Sequence, residues 1–278
     1  MENSLQEILN KLKDGGVSAP RLEVSMLVEF VGQGKDFIAF TSEEKDTLFE
    51  LIEKRLRGMP VCKMIGSKGF YKYDFIVSED VLSPRPDTEI LVEKAIDILK
   101  QEKLNTPKVL ELGLGSGCVL LSILSEFDDI SGVGLELSEK AIAIAQKNVH
   151  LLEQTKKTQI VEGSWFDENL AEKLSNQTFD IVVSNPPYIP SQDILSLDVE
   201  VKNFDPLSAL DGGEDGLRDY RKIAEVSKSI LKNGGHILLE VGINQADAVV
   251  KIFENQRFEL IEKAKDLSGI ERCIIFKK

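Results

Sequence analysis

The second half of the sequence constrains the fold most, because short apolar runs alternate there with stretches of helical periodicity. The candidate strands are residues 108–112, 132–137, 158–162, 179–184, 236–241, 258–264 and 272–276. Helical stretches separate them, and the residues predicted to face the sheet between Ser138 and Leu152 are Ala141, Ile142, Ala145 and Val149. This alternation predicts an α/β domain on a Rossmann-like sheet of seven strands, mostly parallel with an antiparallel strand.

The beginning of the chain shows helical periodicity alone, which predicts an N-terminal helical bundle over residues 1–65. One helix is expected to start at a capping box formed by Thr41 and Glu44. The residues expected to face inward in the three longest helices are Leu5, Ile8, Leu9, Leu12, Leu22, Met26, Leu27, Phe30, Leu48, Leu51, Ile52 and Leu56. Short β-type runs with Pro84 and Pro86 predict a β-hairpin linker over residues 66–86, which leaves residues 87–278 for the α/β domain.

Charge and composition disfavour several classes of function. The net charge of -13 argues against binding to nucleic acid over the whole surface, so no direct nucleic-acid binding is expected. The cysteines and histidines form no cluster with ligand spacing, so no metal site is predicted. The sequence has no apolar run that reaches the roughly 18 residues of a membrane span. Met1 to Ser4 lack the basic start of a secretion signal, so we expect a cytoplasmic protein.

A glycine-rich loop follows the first strand of the predicted sheet and consists of Gly113, Leu114, Gly115, Ser116 and Gly117. Glycines are needed where a ligand approaches the backbone closely, although a tight strand-to-helix turn without a ligand is the alternative. A dinucleotide site would require glycine at position 118, which is Cys118. The spacing after Glu111 is the form associated with S-adenosylmethionine enzymes. Glu136 ends the next strand, where a carboxylate can accept hydrogen bonds from both ribose hydroxyls.

The fourth strand runs into Asn185, Pro186, Pro187 and Tyr188 at the same edge of the sheet. The residue before a proline is restricted to extended conformations, so the Asn185 side chain projects in a defined direction. Its amide oxygen and the Pro186 carbonyl are two acceptors, which suit the NH2 group of an amide or an amino-purine. Accepting both hydrogens orients a weakly nucleophilic nitrogen and stabilises its developing positive charge. Tyr188 offers a ring for packing against the planar group.

With these two loops, the chain resembles the protein-(glutamine-N5) methyltransferases of the HemK or PrmC type. These enzymes methylate the glutamine of the Gly-Gly-Gln motif in class-1 peptide chain release factors. The further matching segments are residues 83–89, 163–166, 205–210, 212–217 and 266–272. The resemblance therefore covers nearly the whole chain, and it implies a cytoplasmic enzyme that acts on release factors.

The resemblance also implies roles for particular residues. S-adenosyl-L-methionine, which becomes S-adenosyl-L-homocysteine, would contact residues 113–117, Glu136, Trp165 and Asn185, and the substrate glutamine would contact residues 185–188. Catalysis would rest on Asn185, Pro186 and Tyr188, and release-factor recognition on the helical domain. Two positions depart from the usual family pattern, namely Glu136, where aspartate is frequent, and Lys63, where an aromatic residue is expected.

Two other functions are compatible with parts of this pattern. An N6-adenine methyltransferase could use the same Asn-Pro-Pro-Tyr loop, but the acidic charge and the absence of a Lys/Arg run beside the motif weigh against it. A catalytically silent adaptor that keeps the cofactor-binding fold is the alternative from a different class. Binding of S-adenosylmethionine discriminates the adaptor from an enzyme, and labelling of a release factor rather than DNA discriminates the two methyltransferases.

Overall fold

The computed structural model describes residues 5–266 and 268–278, so Met1 to Ser4 and Leu267 lie outside the described residues. Two compact units are present. One contains residues 5–67 together with Leu197–Phe204, and the other contains Lys68–Ser196 and Asp205–Lys278. None of the helices that the structure describes is both long and apolar enough to cross a bilayer.

The helices and strands are numbered here in chain order. The helices are α1 (Leu5–Asp14), α2 (Pro20–Gly32), α3 (Ser42–Leu56), α4 (Val61–Ile65), α5 (Glu89–Glu102), α6 (Cys118–Leu124), α7 (Glu139–Leu151), α8 (Leu170–Lys173), α9 (Val199–Phe204), α10 (Arg218–Ile230) and α11 (Ala246–Asn255). The strands are β1 (Ser67–Phe70), β2 (Tyr73–Ile76), β3 (Lys108–Leu112), β4 (Ser131–Glu136), β5 (Thr158–Glu162), β6 (Phe179–Ser184), β7 (Leu231–Glu240), β8 (Glu259–Lys265) and β9 (Glu271–Lys277). Strands β1 and β2 form a separate two-stranded sheet.

The core of the helical unit is formed by α1, α2 and α3. The capping box of Thr41 and Glu44 at the start of α3 is confirmed. Of the residues predicted to face inward in α2, Leu27 is buried as expected, whereas Leu22, Met26 and Phe30 are 63%, 37% and 43% exposed. A second stripe of helical spacing takes the core positions instead, and it consists of Val24, Leu27, Val28 and Val31. Since α2 carries two apolar stripes, periodicity alone could not decide which of them is buried.

A buried guanidinium joins three segments of the helical unit. Arg55 of α3 is 4% exposed. Its Nε donates to Glu23 Oε2 of α2 at 2.5 Å, and its Nη2 donates to Glu200 Oε1 of α9 at 2.5 Å. A planar guanidinium can donate in two directions at once, which suits it to hold two carboxylates. The segment containing Glu200 is thereby tied to α3 and α2, although it is distant in sequence.

The seven-stranded sheet has the order β5-β4-β3-β6-β7-β9-β8. Strand β9 runs antiparallel to β7 and β8, and the remaining neighbours are parallel, which confirms the predicted fold class. The chain builds outward from β3 to β5 and then returns to place β6 on the other side of β3. The carboxyl ends of β3 and β6 therefore flank a switch point, where open α/β sheets form ligand clefts.

The start of β7 and the inward face of α7 differ from the predictions. Strand β7 begins at Leu231 rather than at His236, because the turn-like Gly234 and Gly235 lie within a strand whose register against β6 shifts. In α7, Ile142 is only half-buried and Asn148 is fully buried. The Asn148 Nδ2 group donates to the Ser116 carbonyl at 2.8 Å, so a polar residue anchors the glycine loop from this helix.

Candidate active site

A cavity of about 310 Å³ lies at the carboxyl ends of β3, β4 and β6. Its volume is within the usual range for a small-molecule site. The predicted site residues that line it are Gly113, Leu114, Gly115, Ser116, Glu136, Trp165, Asn185 and Pro187. The cavity lining does not include Gly117, Pro186 or Tyr188. The structure thus brings the glycine loop, the acidic strand end and the asparagine loop together around one space.

The glycine loop has the backbone geometry that requires glycine. Gly113, Gly115 and Gly117 have φ values of 82°, 54° and 81°, in the left-handed region that side chains disfavour. A Cβ on Gly113 would lie 3.3 Å from the ring of Trp165, whereas one on Gly115 would meet nothing within 4 Å. Gly117 instead occupies the N-cap position of α6. The loop therefore leaves open space beside Gly115 and closes around Trp165.

Glu136 holds the glycine loop through backbone hydrogen bonds. Its Oε2 accepts from the Gly115 amide at 2.8 Å, and its Oε1 accepts from the Leu137 and Ser138 amides at 2.9 Å. A carboxylate has about four lone-pair sites, so it can accept a further hydrogen bond from a ligand in the cavity. The longer side chain at this position thus reaches across to the loop after β3.

Glu111 is a cavity residue that sequence reasoning did not select as a site residue. It is buried within β3, and its Oε2 accepts from the Leu120 amide at 2.9 Å. Burial raises the pKa of the Glu111 carboxyl well above its usual range, and the charge of Glu136 adds to the increase. Its place as the acid before the first glycine was visible in the sequence, but its burial was not.

The indole of Trp165 is fixed by a buried carboxylate. Trp165 Nε1 donates to Asp219 Oδ1 at 3.0 Å, and Arg218 Nη2 donates to Asp219 Oδ2 at 3.0 Å. Asp219 is 2% exposed, and burial raises its pKa. The side chain that orients Trp165 comes from α10, and sequence reasoning missed it because no local pattern links the two positions.

The end of β6 is attached to β3 and to the segment before α5. Ser184 Oγ donates to the Leu112 carbonyl at 2.7 Å, so the two strand ends are joined side by side. The next residue, Asn185, lines the cavity, and its Nδ2 donates to Thr88 Oγ1 at 3.4 Å. Pro186 is buried. Thr88 was part of a matching segment in the sequence but was not assigned a role.

Tyr188 packs away from the cavity. Its ring is partly buried against the core on one face of the sheet, and burial raises the pKa of its hydroxyl to about 12. Its carbonyl oxygen accepts from Gln245 Nε2 at 2.8 Å. Gln245, at the start of α11, therefore holds the backbone of Tyr188. Sequence reasoning did not identify Gln245 as a supporting residue.

The glycines that follow at positions 212 and 216 allow close backbone packing against this loop. A Cβ on Gly212 would lie 2.7 Å from the Pro187 carbonyl oxygen, and one on Gly216 would overlap the Tyr188 carbonyl oxygen. Gly216 also has a φ of 71°. Only glycine permits both the approach and this backbone conformation. The matching segment at residues 212–217 thus serves as the support of the asparagine loop.

The other matching segments meet through ionic hydrogen bonds. Arg85 Nη2 donates to Asp205 Oδ2 at 2.8 Å, which joins residues 83–89 to residues 205–210. Arg272 Nη2 lies 3.4 Å from Asp87 Oδ2, and Arg272 Nε lies 3.1 Å from Asp266 Oδ2. Residues 83–89 therefore contact both of the other segments, although all three are separated in sequence.

Comparison with known proteins decides the family. A family model described as "Methyltransferase small domain" matches residues 87–200. The chain is 35% identical to a protein of Agrobacterium fabrum named "Release factor glutamine methyltransferase", over 96% of this chain and 94% of that protein. The chain belongs to the release factor glutamine methyltransferase family.

Two further comparisons concern a longer relative and a protein that shares only the fold. A "Bifunctional methyltransferase" of Rickettsia felis is 34% identical over 99% of this chain, which spans 58% of that protein. A methyltransferase structure from Pyrococcus furiosus has 16% sequence identity and a TM-score of 0.54. It covers 82% of this chain and 98% of its own, and this likeness concerns the fold alone.

The side chains that the structure describes are not grouped as ligands of a metal ion. Among residues 5–266 and 268–278, no group of three or more histidine, cysteine or acidic side chains could hold a metal ion. The cavity offers backbone amides, carboxylates and one amide side chain instead. Such groups can position a small polar molecule and a planar nitrogen.

Proposed function

We propose that this protein transfers the methyl group of S-adenosyl-L-methionine to the side-chain amide nitrogen of the glutamine in the Gly-Gly-Gln motif of class-1 release factors. The observation that carries this proposal is the placement of Asn185 in the wall of the cavity that the glycine loop and Glu136 also line. One cavity thus holds the groups suited to a nucleoside cofactor and an amide acceptor beside them. The family relationship selects the release factor as the source of the amide.

The residues present fit an adenosine cofactor. A side chain at position 115 would project into the open space beside the loop. Because residue 115 is glycine, a ligand can approach the backbone closely there. Glu136 retains acceptor capacity for ribose hydroxyls, and Trp165 presents an indole in the cavity wall. When bound, the cofactor supplies an electrophilic sulfonium methyl group.

The asparagine loop provides the acceptors that an amide nucleophile needs. An amide nitrogen is weakly nucleophilic because its lone pair is delocalised into the carbonyl. Asn185 Oδ1 and the Pro186 carbonyl would accept its two hydrogens, which orients the nitrogen and stabilises the positive charge that grows during attack. As the N–C bond forms the C–S bond breaks, its electrons remain on sulfur, and a proton then leaves the nitrogen. Positioning supplies much of the remaining catalysis, so no histidine base is required.

A labelling experiment tests the activity. The protein is incubated with methyl-labelled S-adenosylmethionine and either a class-1 release factor or double-stranded DNA. Mass spectrometry should locate one added methyl group on the Gly-Gly-Gln glutamine. A release factor with this glutamine replaced by alanine should remain unlabelled. Label in DNA alone would support the adenine alternative and contradict the proposal.

The role of Asn185 is tested by Asn185→Ala. Loss of one preorganised polar contact should lower turnover on the order of 100-fold while cofactor binding is retained. Asn233→Ala, at an exposed position near the start of β7, is the matched control and should keep wild-type turnover. Isothermal titration with S-adenosylmethionine accompanies both variants. Absence of cofactor binding by the wild-type protein would favour the silent adaptor over the enzyme.

A further inference from the structure

Glu240 is a buried carboxyl group that the proposed mechanism does not use. It ends β7, beside the end of β6, and is 3% exposed. It does not line the cavity. Among the residues that the structure describes, its Oε2 makes no hydrogen bond. Burying a carboxyl group with an unpaired oxygen is costly, so its presence here requires a reason.

The neighbours of Glu240 are the two side chains that meet at the cavity wall. The register of β6 against β7 pairs Ser184 with Leu239, so Asn185 and Glu240 follow side by side at the ends of the two strands. The side chains of Thr88 and Asn185 both lower the pKa of the Glu240 carboxyl group. Thr88 and Asn185 are also joined to each other, since Asn185 Nδ2 donates to Thr88 Oγ1 at 3.4 Å. Glu240, Thr88 and Asn185 therefore form one polar cluster, in which only Thr88 and Asn185 reach the cavity.

The chemistry of these groups determines which end of the Asn185 amide faces Glu240. An ionised carboxylate only accepts hydrogen bonds, so it must face the NH2 end of the amide. The Thr88 hydroxyl has one hydrogen, and if it donates this hydrogen to Glu240 it can accept from Asn185 Nδ2. Both interactions hold the nitrogen end toward the protein. The amide oxygen is then the atom left to accept a hydrogen bond from a ligand in the cavity.

We propose that Glu240 is a positioning residue, which acts together with Thr88 to fix the Asn185 amide with its oxygen available to the substrate nitrogen. This inference rests on the proposed function, in which Asn185 Oδ1 accepts a hydrogen bond from the substrate nitrogen. A reversed amide would present its NH2 group to the substrate NH2 group, and two donors would repel each other. Glu240 thus selects the productive one of two nearly isosteric orientations.

Protonation of Glu240 should reverse this selection. Burial raises the pKa of Glu240 to about 7, against the opposing effects of Thr88, Arg272 and Asn185. The neutral acid can donate to the Asn185 oxygen, which favours the unproductive orientation. The other ionisable groups around Glu240 are Asp87, Arg272, Cys273, Tyr188, Tyr220 and Cys118. Burial raises the pKa values of these tyrosines and cysteines, which moves them further above pH 7. We therefore expect Glu240 to be the group of this cluster that titrates near pH 7.

The first test needs no substrate. The side-chain NH2 resonances of Asn185, in protein labelled with ¹⁵N at asparagine, are followed by NMR between about pH 6 and about pH 9. They should shift with a midpoint near 7 in the wild-type protein. The shift should be absent in Glu240→Gln. Resonances that do not respond to pH, or that respond equally in Glu240→Gln, would overturn the inference.

The second test measures kcat and KM for the release factor over the same pH range. Wild-type kcat should fall as the pH decreases through about 7. Glu240→Gln should lower kcat on the order of tenfold at high pH and lose this acid limb, because an amide can present either a donor or an acceptor. The dissociation constant of S-adenosylhomocysteine, measured by calorimetry, should be unchanged. Wild-type kcat in Glu240→Gln at every pH would contradict the proposed role.

Thr88 variants keep the test decisive if Glu240→Gln folds poorly. Thr88→Val preserves the shape of the side chain and removes the hydroxyl, so kcat should again fall on the order of tenfold. Thr88→Ser restores the hydroxyl and should recover most of the activity. Ser227→Ala is a control for disturbing a buried polar group elsewhere, since Ser227 is fully buried on α10 and its hydroxyl is unpaired among the described residues. It should behave as the wild type.

The experiments distinguish a wrong function from a wrong role of Glu240. If the wild-type protein does not methylate the release factor, the proposed function is wrong, whereas the NMR titration still tests the Glu240–Asn185 link. If the wild-type protein is active and Thr88→Val equals Thr88→Ser, the positioning role is wrong and the function stands.

Discussion

Gln245 Nε2 donates a hydrogen bond of 2.8 Å to the carbonyl oxygen of Tyr188. The Gly242 amide in turn donates to Gln245 Oε1 at 3.0 Å. The end of the asparagine loop is therefore held by the segment that follows β7, through a single side chain with one donor and one acceptor end. This arrangement makes the position of the loop sensitive to the glycines that allow the close approach.

Gly216→Ala should disrupt the asparagine loop. The new Cβ would overlap the Tyr188 carbonyl oxygen and would also meet Gln245 Nε2 at 2.6 Å. We expect turnover to fall at least tenfold, because a displacement of about 1 Å is enough to misplace a reacting group. Gly234→Ala is the matched control, since its φ of 79° imposes the same backbone strain while the nearest atom is 4.0 Å away. It should cost about 1 kcal/mol of stability and leave kcat unchanged. Equal kcat values for the two variants would contradict the steric explanation.

Trp165 should report cofactor binding by its fluorescence. It is the single tryptophan of the chain and lines the cavity, so a ligand placed there changes the environment of the only indole. Titration with S-adenosylmethionine should change the emission in a saturable manner, and S-adenosylhomocysteine should compete. NAD at the same concentrations should have no effect, because position 118 is cysteine rather than the glycine of a dinucleotide loop. A response to NAD alone would contradict the assignment of the cavity.

Arg55→Met should destabilise the helical unit. The substitution preserves much of the apolar stem but leaves Glu23, whose side chain is 16% exposed, without its cation. Breaking a buried ion pair on one side costs about 3 to 5 kcal/mol. Urea unfolding monitored by circular dichroism measures the loss. Arg57→Met, at an exposed position two residues away, should change stability by less than about 0.5 kcal/mol. Similar losses for the two variants would argue against the buried network.

The raised pKa of Glu240 predicts a dependence of stability on pH. Its pKa increases from 4.5 to about 7 on folding, so between these values the folded state retains a proton that the unfolded state releases. The contribution of Glu240 to stability is therefore greatest below about pH 4.5 and is lost as the pH rises through about 7. The total is about 3 kcal/mol at most. Urea unfolding at acidic and alkaline pH should show a smaller loss in Glu240→Gln than in the wild-type protein, and identical losses would refute the prediction.

Local sequence patterns predicted the architecture because they reflect burial along single elements. The alternation of strands and helices predicted the mostly parallel seven-stranded sheet. Strands β3, β5 and β6 have the predicted bounds. The positive φ values at the glycine loop agree with the conformational demand expected from its spacing. Where one helix has two apolar stripes, as α2 does, the pattern was ambiguous, and three of the four residues predicted to face inward are exposed.

The supporting residues of the site could not be predicted, because their partners are distant in sequence. Asp219 is 54 residues from Trp165, and Gln245 is 57 residues from Tyr188. Sequence reasoning assigned no role to Glu240, and only the packing of β7 reveals its burial. Residues that contact a ligand follow strand ends and glycine loops, whereas residues that orient them have no local pattern.

Leu197–Phe204 belong to the helical unit, which matters when this unit is exchanged between related proteins. The polypeptide passes between the two units at three points rather than at one. A chimaera that replaced residues 5–67 alone would bring a foreign α3 against the original Glu200, which the native protein pairs with Arg55. The helical unit is therefore inherited as two separate stretches of sequence, and successful recombination would have to transfer both.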